Sequence, residues 1–433
     1  MSRRRLFQVL VAAVVSVWLL VLSGIVSAQG NSENAFERVK EVQERHTERL
    51  MAQEGVVGTA VGLDEKGENA VLLLLERPGV PGIPTDLEGV PVRPVVTGTI
   101  YALVKPQAPT KPTKPGGKDR TPPAVPSAPT AATISSRQIS LTWSLNGETD
   151  LSHYRVYRSI TSGGPYTRLA EATASSYSDT MLAPLIAYSY VITAVDTSGN
   201  ESGQSPESSA TTLTNGRSPS PIGVSTGHPN ITAGTIGCRV TKNGKVYALS
   251  NNHVYADENR GTIGDNALQP GPIDGGVNPD SAIGVLADFA PITFSRRASN
   301  VIDAAIALCS VDTLGKTTPA GWTPSASPRP LTSDDLGVLW VKKYGRTTHE
   351  TNGQVYAINA TVNVSYSRGT ARFVNQIVVT PGGFSDGGDS GSLIVTQSGN
   401  NPVGLLFAGS SSYTIANPID AVLGHFGVTI DGQ

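Results

Sequence analysis

Cysteine is almost missing from this chain: Cys238 and Cys309 are the only two in 433 residues. They stand 71 positions apart, with no CxxC and no HExxH, so no metal-ligand pattern exists and neither a metal nor a cofactor is expected. An excess of positive charge is missing too, with 33 Lys+Arg against 35 Asp+Glu. Losing the first 28 residues would remove three arginines and no acid, leaving 30 basic residues against 35 acidic ones, a net charge of −5. Phosphate backbones need a basic surface, so no nucleic-acid partner is expected. Charged residues make up 16% and hydrophobic ones 39%, which suits two or three packed domains rather than a disordered chain.

What is present begins with a targeting pattern. Arg3, Arg4 and Arg5 precede an apolar run from Leu6 to Val26, and Val26-Ser27-Ala28 offers small residues before a cut after Ala28. Residues 1–28 therefore read as a signal peptide and the protein as exported, secreted or at the cell surface or periplasm. The run is nearly long enough to span a bilayer, so an uncleaved N-terminal anchor is the alternative. No cysteine follows it to carry a lipid.

Residues 31–104 read as a small α+β domain. Glu33 to Gln53 has helical periodicity, with Phe36, Val39, His46 and Leu50 near one face and Ser32 as N-cap. The apolar runs Val56–Leu63 and Ala70–Glu76, split by Asp64-Glu65-Lys66-Gly67, suggest a hairpin, and Val90–Thr97 a further strand. The role of this unit is open between a pro-domain, an inhibitor and a docking module. A proline-rich linker at 105–121 follows, stiff and extended by composition. Residues 122–214 alternate in short strands, 215–227 form a second linker, and 228–433 are glycine-rich with short, turn-bounded apolar segments, as in an antiparallel barrel.

The chemistry centres on Gly388-Asp389-Ser390-Gly391-Ser392-Leu393, a serine between two glycines behind an acid. A serine hydroxyl is a weak nucleophile unless a base and an orienting group assist it. Candidates lie upstream: His253 in Ser250-Asn251-Asn252-His253, and Asp303 in Val301-Ile302-Asp303-Ala304-Ala305. The order His, Asp, Ser is that of the chymotrypsin type; the α/β-hydrolases and subtilisins run differently.

On these motifs residues 228 to 433 resemble a trypsin-like, chymotrypsin-fold bacterial serine protease. The resemblance implies a double β-barrel and an endopeptidase that hydrolyses protein or peptide substrates through an acyl-enzyme. In it Ser390 is the nucleophile, His253 the general base and then acid, and Asp303 the orienting carboxylate. The backbone N–H groups of Gly388 and Ser390 would form the oxyanion hole, each such donor being worth roughly 3 kcal/mol. Phe407-Ala408-Gly409 would hold substrate backbone along a strand edge. Phe384, six residues before the nucleophile, and Ser385 would line the pocket for the residue before the cut. With no acid at that floor, cleavage after uncharged, small or medium apolar residues is expected; Asp386 is the residue that could overturn this by turning inward. No Ile-Val-Gly-Gly opens the domain, so the amino-terminal activation switch is not implied and Asp389 should pair otherwise.

By the same resemblance Cys238 lies where relatives carry a cysteine, but the usual partner position is Val254. A Cys238–Cys309 bridge, which export would permit, or two buried thiols are the alternatives. Residues 122–214 resemble a fibronectin type III module, with Trp143 as the buried tryptophan, Tyr154 to Arg158 as the next strand, and Tyr188 as the tyrosine corner. Such a module serves as a spacer or docks weakly on a surface or partner. Two other readings of the chain stand beside the protease. One is a serine esterase built on the Gly-Asp-Ser triplet, and the other a protease fold that has lost catalysis and serves as a binding or adhesion scaffold.

Overall fold

A computed structural model describes residues 33–103, 121–133, 136–214 and 219–433. The signal-peptide reading, residues 105–120 of the first linker and residues 215–218 of the second lie outside the described residues, while 219–227 pack onto the barrel that follows them in the chain, with Ile222 buried in its cluster. No helix among those described is long and apolar enough to cross a membrane.

Strands dominate. Six of them close into a barrel: Trp340–Gly345, Leu393–Thr396, Pro402–Gly409, Thr414–Pro418, Gly369–Thr380 and His349–Tyr366, the last pairing back to the first. Every pairing around this ring is antiparallel. A second antiparallel sheet of six strands holds Asn266–Leu268, Ala282–Phe289, Ala305–Cys309, Lys245–Ser250, Cys238–Lys242 and Thr429–Ile430, in that spatial order. The two, hereafter the second barrel (the closed one) and the first barrel (the six-stranded sheet, which comes first in the chain), face each other through one apolar cluster in which Leu249, Ile306 and, from the helix after Ser250, Val254 meet Leu393, Val395 and Leu405 of the second barrel. The helix Ile419–Phe426 packs its Val422 and Phe426 into the same cluster.

Between the linkers lies a seven-stranded sandwich. A three-stranded sheet of Thr130–Thr133, Ile139–Thr142 and Ser176–Asp179 covers a four-stranded one of Leu151–Ser159, Thr167–Ala172, Ala187–Asp196 and Ser208–Thr211. The buried alternation in Ile139–Thr142 and the continuous burial along Tyr188–Asp196 explain why these residues form strands of a sandwich core. Trp143 stacks edge-on against Tyr154 at 5.2 Å, and the Tyr188 hydroxyl accepts the Ala183 N–H at 3.1 Å, which makes the tyrosine corner. The sandwich sits on the first barrel: Leu268, Ala282, Val285 and Leu308 belong to its apolar cluster, and the Arg137 guanidinium donates to the carbonyls of Pro279 and Asp280.

Ahead of it, the helix over 33–51 buries Phe36, Val39, Gln43 and Leu50 on one face. His46 lies at the edge of that face, its ring 2.8 Å from Glu88. Val56–Leu63 and Asn69–Leu75 form an antiparallel hairpin, and Val90–Val96 adds in parallel to its outer strand. The two-residue strand Asp86–Leu87 pairs outside its first residues, Asp86 opposite Pro91, and this outer ladder stays short on a strand whose Pro91 and Pro94 have no N–H to give. These strands do not end in a free sheet. Val56–Leu63 pairs with His349–Tyr366, so the N-terminal sheet continues out of the second barrel.

The cysteines are both buried and free, which excludes the bridge. Cys238 and Cys309 lie on strands either side of Lys245–Ser250, opposite Leu249 and Val246. Two strand spacings amount to about 10 Å, beyond the roughly 7 Å that a disulfide can span. Burial instead raises both thiols above their usual range.

Candidate active site

The strand Lys245–Ser250 ends in Ser250-Asn251-Asn252, where polar side chains replace the ladder. Asn251 Nδ2 donates to the Asp303 carbonyl at 2.7 Å, and Asn252 Nδ2 to the Ala290 carbonyl at 2.7 Å. These bonds turn the chain into the short helix Asn252–Tyr255 and bring His253 to Asp303, two residues ahead of the strand Ala305–Cys309. The imidazole Nδ1 lies 2.5 Å from Asp303 Oδ2, and the backbone N–H of His253 donates to Oδ1 at 3.2 Å. A carboxylate only accepts, so Nδ1 carries the proton and Nε2 offers a lone pair. Nε2 is buried and has no hydrogen-bond partner. His253 and Asp303 are 1% and 0% exposed, which keeps the pair in a low dielectric.

Ser390 arrives from the other barrel, on the loop before Leu393–Thr396. Its Oγ donates to the Phe407 carbonyl at 3.2 Å rather than to His253. The loop is bound across the junction: Thr235 N–H donates to the Ser390 carbonyl at 2.7 Å and Thr235 Oγ1 to the Gly388 carbonyl at 2.9 Å. Gly388 needs to be glycine, since its φ is +97° and an added Cβ would lie 2.7 Å from Thr347 Oγ1.

Beneath this loop Asp389 is fully buried and accepts from Thr347 N–H (2.8 Å), Thr348 N–H (3.2 Å), Thr348 Oγ1 (2.6 Å) and Asp386 N–H (3.0 Å). Its countercharge is Lys343, also 0% exposed, with Nζ 3.4 Å from Oδ2. Burial lowers the Lys343 pKa and Asp389 works against that. Lys343 Nζ also stands 5.8 Å over the Phe384 ring. Phe384 is 1% exposed in the second barrel's cluster, and Ser385 Oγ lies 2.6 Å from Thr414 Oγ1. Asp386 faces solvent, and its carboxylate accepts from Gly387 N–H at 2.7 Å.

The edge at Phe407-Ala408-Gly409 is occupied by the protein's own chain. Ile100–Ala102 pairs antiparallel with it, Ala102 opposite Ala408 and Tyr101 opposite Gly409. The other edge of Ile100–Ala102 pairs in parallel with Val364 and Ser365. The next residue places its carbonyl on Gly388: Gly388 N–H donates to Leu103 O at 3.0 Å. The Leu103 side chain packs on the apolar cluster that contains Phe384. A cleft of about 550 Å3, lined among others by Leu103, Arg346, Ile273 and Gly387, opens beside it.

Sequence reasoning singled out His253, Asp303, Ser390, Gly388 and Phe384 but missed Leu103, Lys343 and Tyr366. Tyr366 Oη donates to Asp303 Oδ2 at 2.8 Å. Among these three only Lys343 carried a signal, a charged residue in step with Val341 and Gly345 on the inward face of Trp340–Gly345.

No family model matches the chain. A stretch of 85 residues, 19% of the chain, is 36% identical to Exoglucanase B of Cellulomonas fimi, and spans 7% of that protein's length. Protease A of Thermobifida fusca aligns over 49% of this chain and 100% of its own, at 18% identity and a TM-score of 0.37. A Cellulomonas bogoriensis chymotrypsin aligns over 49% and 98%, at 19% identity and 0.33. On another part, an Fn3-like protein from Clostridium thermocellum aligns over 22% and 100%, at 33% identity and 0.20. The solved neighbours are thus bacterial chymotrypsin-fold serine proteases over about half the chain and fibronectin type III domains elsewhere. The fold is mainly β, with chymotrypsin-like proteases and fibronectin type III-like domains among its structural neighbours.

Proposed function

We propose that the protein is an exported serine endopeptidase whose residues 31–104 act as a pro-domain in its own cleft. The observation that carries this reading is the Leu103 carbonyl on the Gly388 N–H, at the end of a strand paired along Phe407 to Gly409. That is the pose a peptide substrate needs, with a carbonyl polarised by a loop amide beside a serine.

From this pose Ser390 Oγ rotates from the Phe407 carbonyl toward His253 Nε2, gives up its proton there and attacks the carbonyl carbon. The oxygen takes the negative charge and is held by the N–H groups of Gly388 and Ser390. His253, now protonated and facing Asp303, returns the proton to the leaving amine, which departs as the C–N bond breaks. Water then repeats the sequence on the acyl-serine. The first such bond is Leu103–Val104. Leu103 packs on the apolar cluster that contains Phe384, and Asp386 is exposed, which supports cleavage after uncharged, medium apolar residues. Protein and peptide substrates follow, and the sandwich on the first barrel acts as a buttress or docking module. Export rests on residues 1–28.

Fluorophosphonate labelling of the purified full chain tests this. Label is expected on Ser390, absent in Ser390→Ala and at least 100-fold slower in His253→Ala. Wild-type protein should also show a cut after Leu103 by mass spectrometry, absent in Ser390→Ala. Equal labelling of Ser390→Ala would remove the triad assignment. A stable, uncut and fully active full-length protein would remove the pro-domain reading alone.

A further inference from the structure

We infer that Tyr366 is a positioning residue of the proposed triad, held in place by Glu258 from the turn after His253; the inference rests on the protease reading. Asp303 can orient His253 only while its carboxylate is fixed in rotation. One oxygen, Oδ1, takes the His253 backbone N–H at 3.2 Å, and Oδ2 takes the imidazole Nδ1–H at 2.5 Å. Oδ2 has a second donor in the Tyr366 phenol at 2.8 Å. The phenol therefore supplies the side-chain donor that pins the carboxylate from the second barrel.

The ring adds a second restraint. It meets the His253 ring edge-on, with centroids 5.9 Å apart and an interplanar angle of 71°. Phe294 and Phe373 flank it at 5.6 and 6.1 Å. Burial, then the charge of Asp303, raises its pKa well above the usual tyrosine value, so it stays a donor wherever His253 can act as a base.

Tyr366 ends the long strand His349–Tyr366, and the two residues after it are clamped. The Glu258 carboxylate accepts from Ser367 N–H at 3.2 Å, Ser367 Oγ at 2.5 Å and Arg368 N–H at 3.2 Å, while Arg368 Nη1 donates to the Glu258 carbonyl at 2.6 Å. Glu258 is 4% exposed and sits in a turn whose Asp257, Glu258 and Asn259 have φ of 47°, 54° and 70°. Three successive left-handed residues with side chains are costly, and persist where their surroundings over-determine them. A closed path results: from His253 through its own following turn to Glu258, across to the hairpin tip, through Tyr366 to Asp303, and back to His253. The two barrels are locked together at the catalytic pair.

The test is Tyr366→Phe in the full chain, prepared and processed as the wild type and assayed on a leucyl peptide nitroanilide. kcat should fall about 10- to 100-fold, the span of one hydrogen bond to a charged group, with KM nearly unchanged. The downfield proton resonance of His253 Nδ1–H should move, because its acceptor loses a competing donor. Should Tyr366→Phe fold poorly, Glu258→Gln keeps the shape of the clamp and should shift the same resonance with a smaller fall in kcat. An unchanged kcat and an unmoved resonance in either folded variant overturn the positioning role. Wild-type protein that neither hydrolyses nor labels overturns the protease reading, and the resonance still reports separately whether Tyr366 acts on the pair.

Discussion

The two barrels carry two appended units, and they are attached in opposite ways. The sandwich brings its own two sheets and touches the first barrel through side chains, with Leu308 and Val285 of the barrel entering its apolar cluster. The N-terminal unit gives up its independence. Its hairpin is hydrogen-bonded into the second barrel through Gly58–Val362 and Thr59–Thr361, and its last strand lies in the cleft. A unit joined by side chains can be removed with a local loss. One joined by backbone ladders alters the sheet it leaves, exposing the N–H and C=O groups of an edge. The first arrangement suits a permanent buttress, and the second suits a part whose departure changes what the rest can do.

The largest expected effect breaks the cleft end of this comparison. Leu103→Asp places a carboxylate among the apolar groups around Phe384, where an unpaired charge costs several kcal/mol. Cutting after position 103 should slow more than 100-fold, read as accumulation of uncut chain by mass spectrometry, while the sandwich is untouched. Wild-type cutting there would show that the Leu103 side chain is not read by the pocket.

A smaller effect is expected at the ladder. A Cβ on Gly58 would lie 2.7 Å from the Thr361 carbonyl, so Gly58→Val should strain the pairing by about 1–3 kcal/mol. Hydrogen exchange at Val362 and its neighbours in the long strand should quicken, with exchange in Ala187–Asp196 unchanged. Equal protection in both proteins would mean that the hairpin docks by side chains after all.

The two units also differ in how legible they were. The sandwich could be read from Trp143, Tyr188 and the alternation around them, because its core is made of residues close in sequence that all face inward. The same holds for the hairpin at Val56–Leu63 and Asn69–Leu75, whose apolar runs and turn are local. That the hairpin would enter the second barrel was not legible, since edge pairing is made by backbone groups that every residue carries. Leu103 on Gly388 spans 285 positions, and Tyr366 on Asp303 spans 63, with no period or motif to mark either contact. Lys343 was visible as a charge in a strand, but its meaning depended on Asp389 being buried below the nucleophile loop rather than exposed on it. Cys238 and Cys309 stayed undecided between a bridge and two buried thiols for a related reason: whether two strands are neighbours or one apart is a matter of topology.

The smallest effect sharpens the comparison from the other side. Tyr188 is fully buried, and its hydroxyl accepts the Ala183 N–H within the sandwich. Arg158 lies over its ring at 5.2 Å and is paired with Asp179, so the ring itself is held by more than the one bond. Tyr188→Phe keeps the ring and leaves one buried N–H unpaired, a loss of about 1 kcal/mol. The loss should appear as a slightly lower midpoint for the sandwich in calorimetry. If the sandwich is a buttress joined by side chains, kcat/KM should stay at the wild-type value and the cut after Leu103 should proceed at its usual rate. A fall in either would mean that stability lost in the sandwich reaches His253 through the first barrel, and that the two modes of attachment are less separate than their hydrogen bonds suggest.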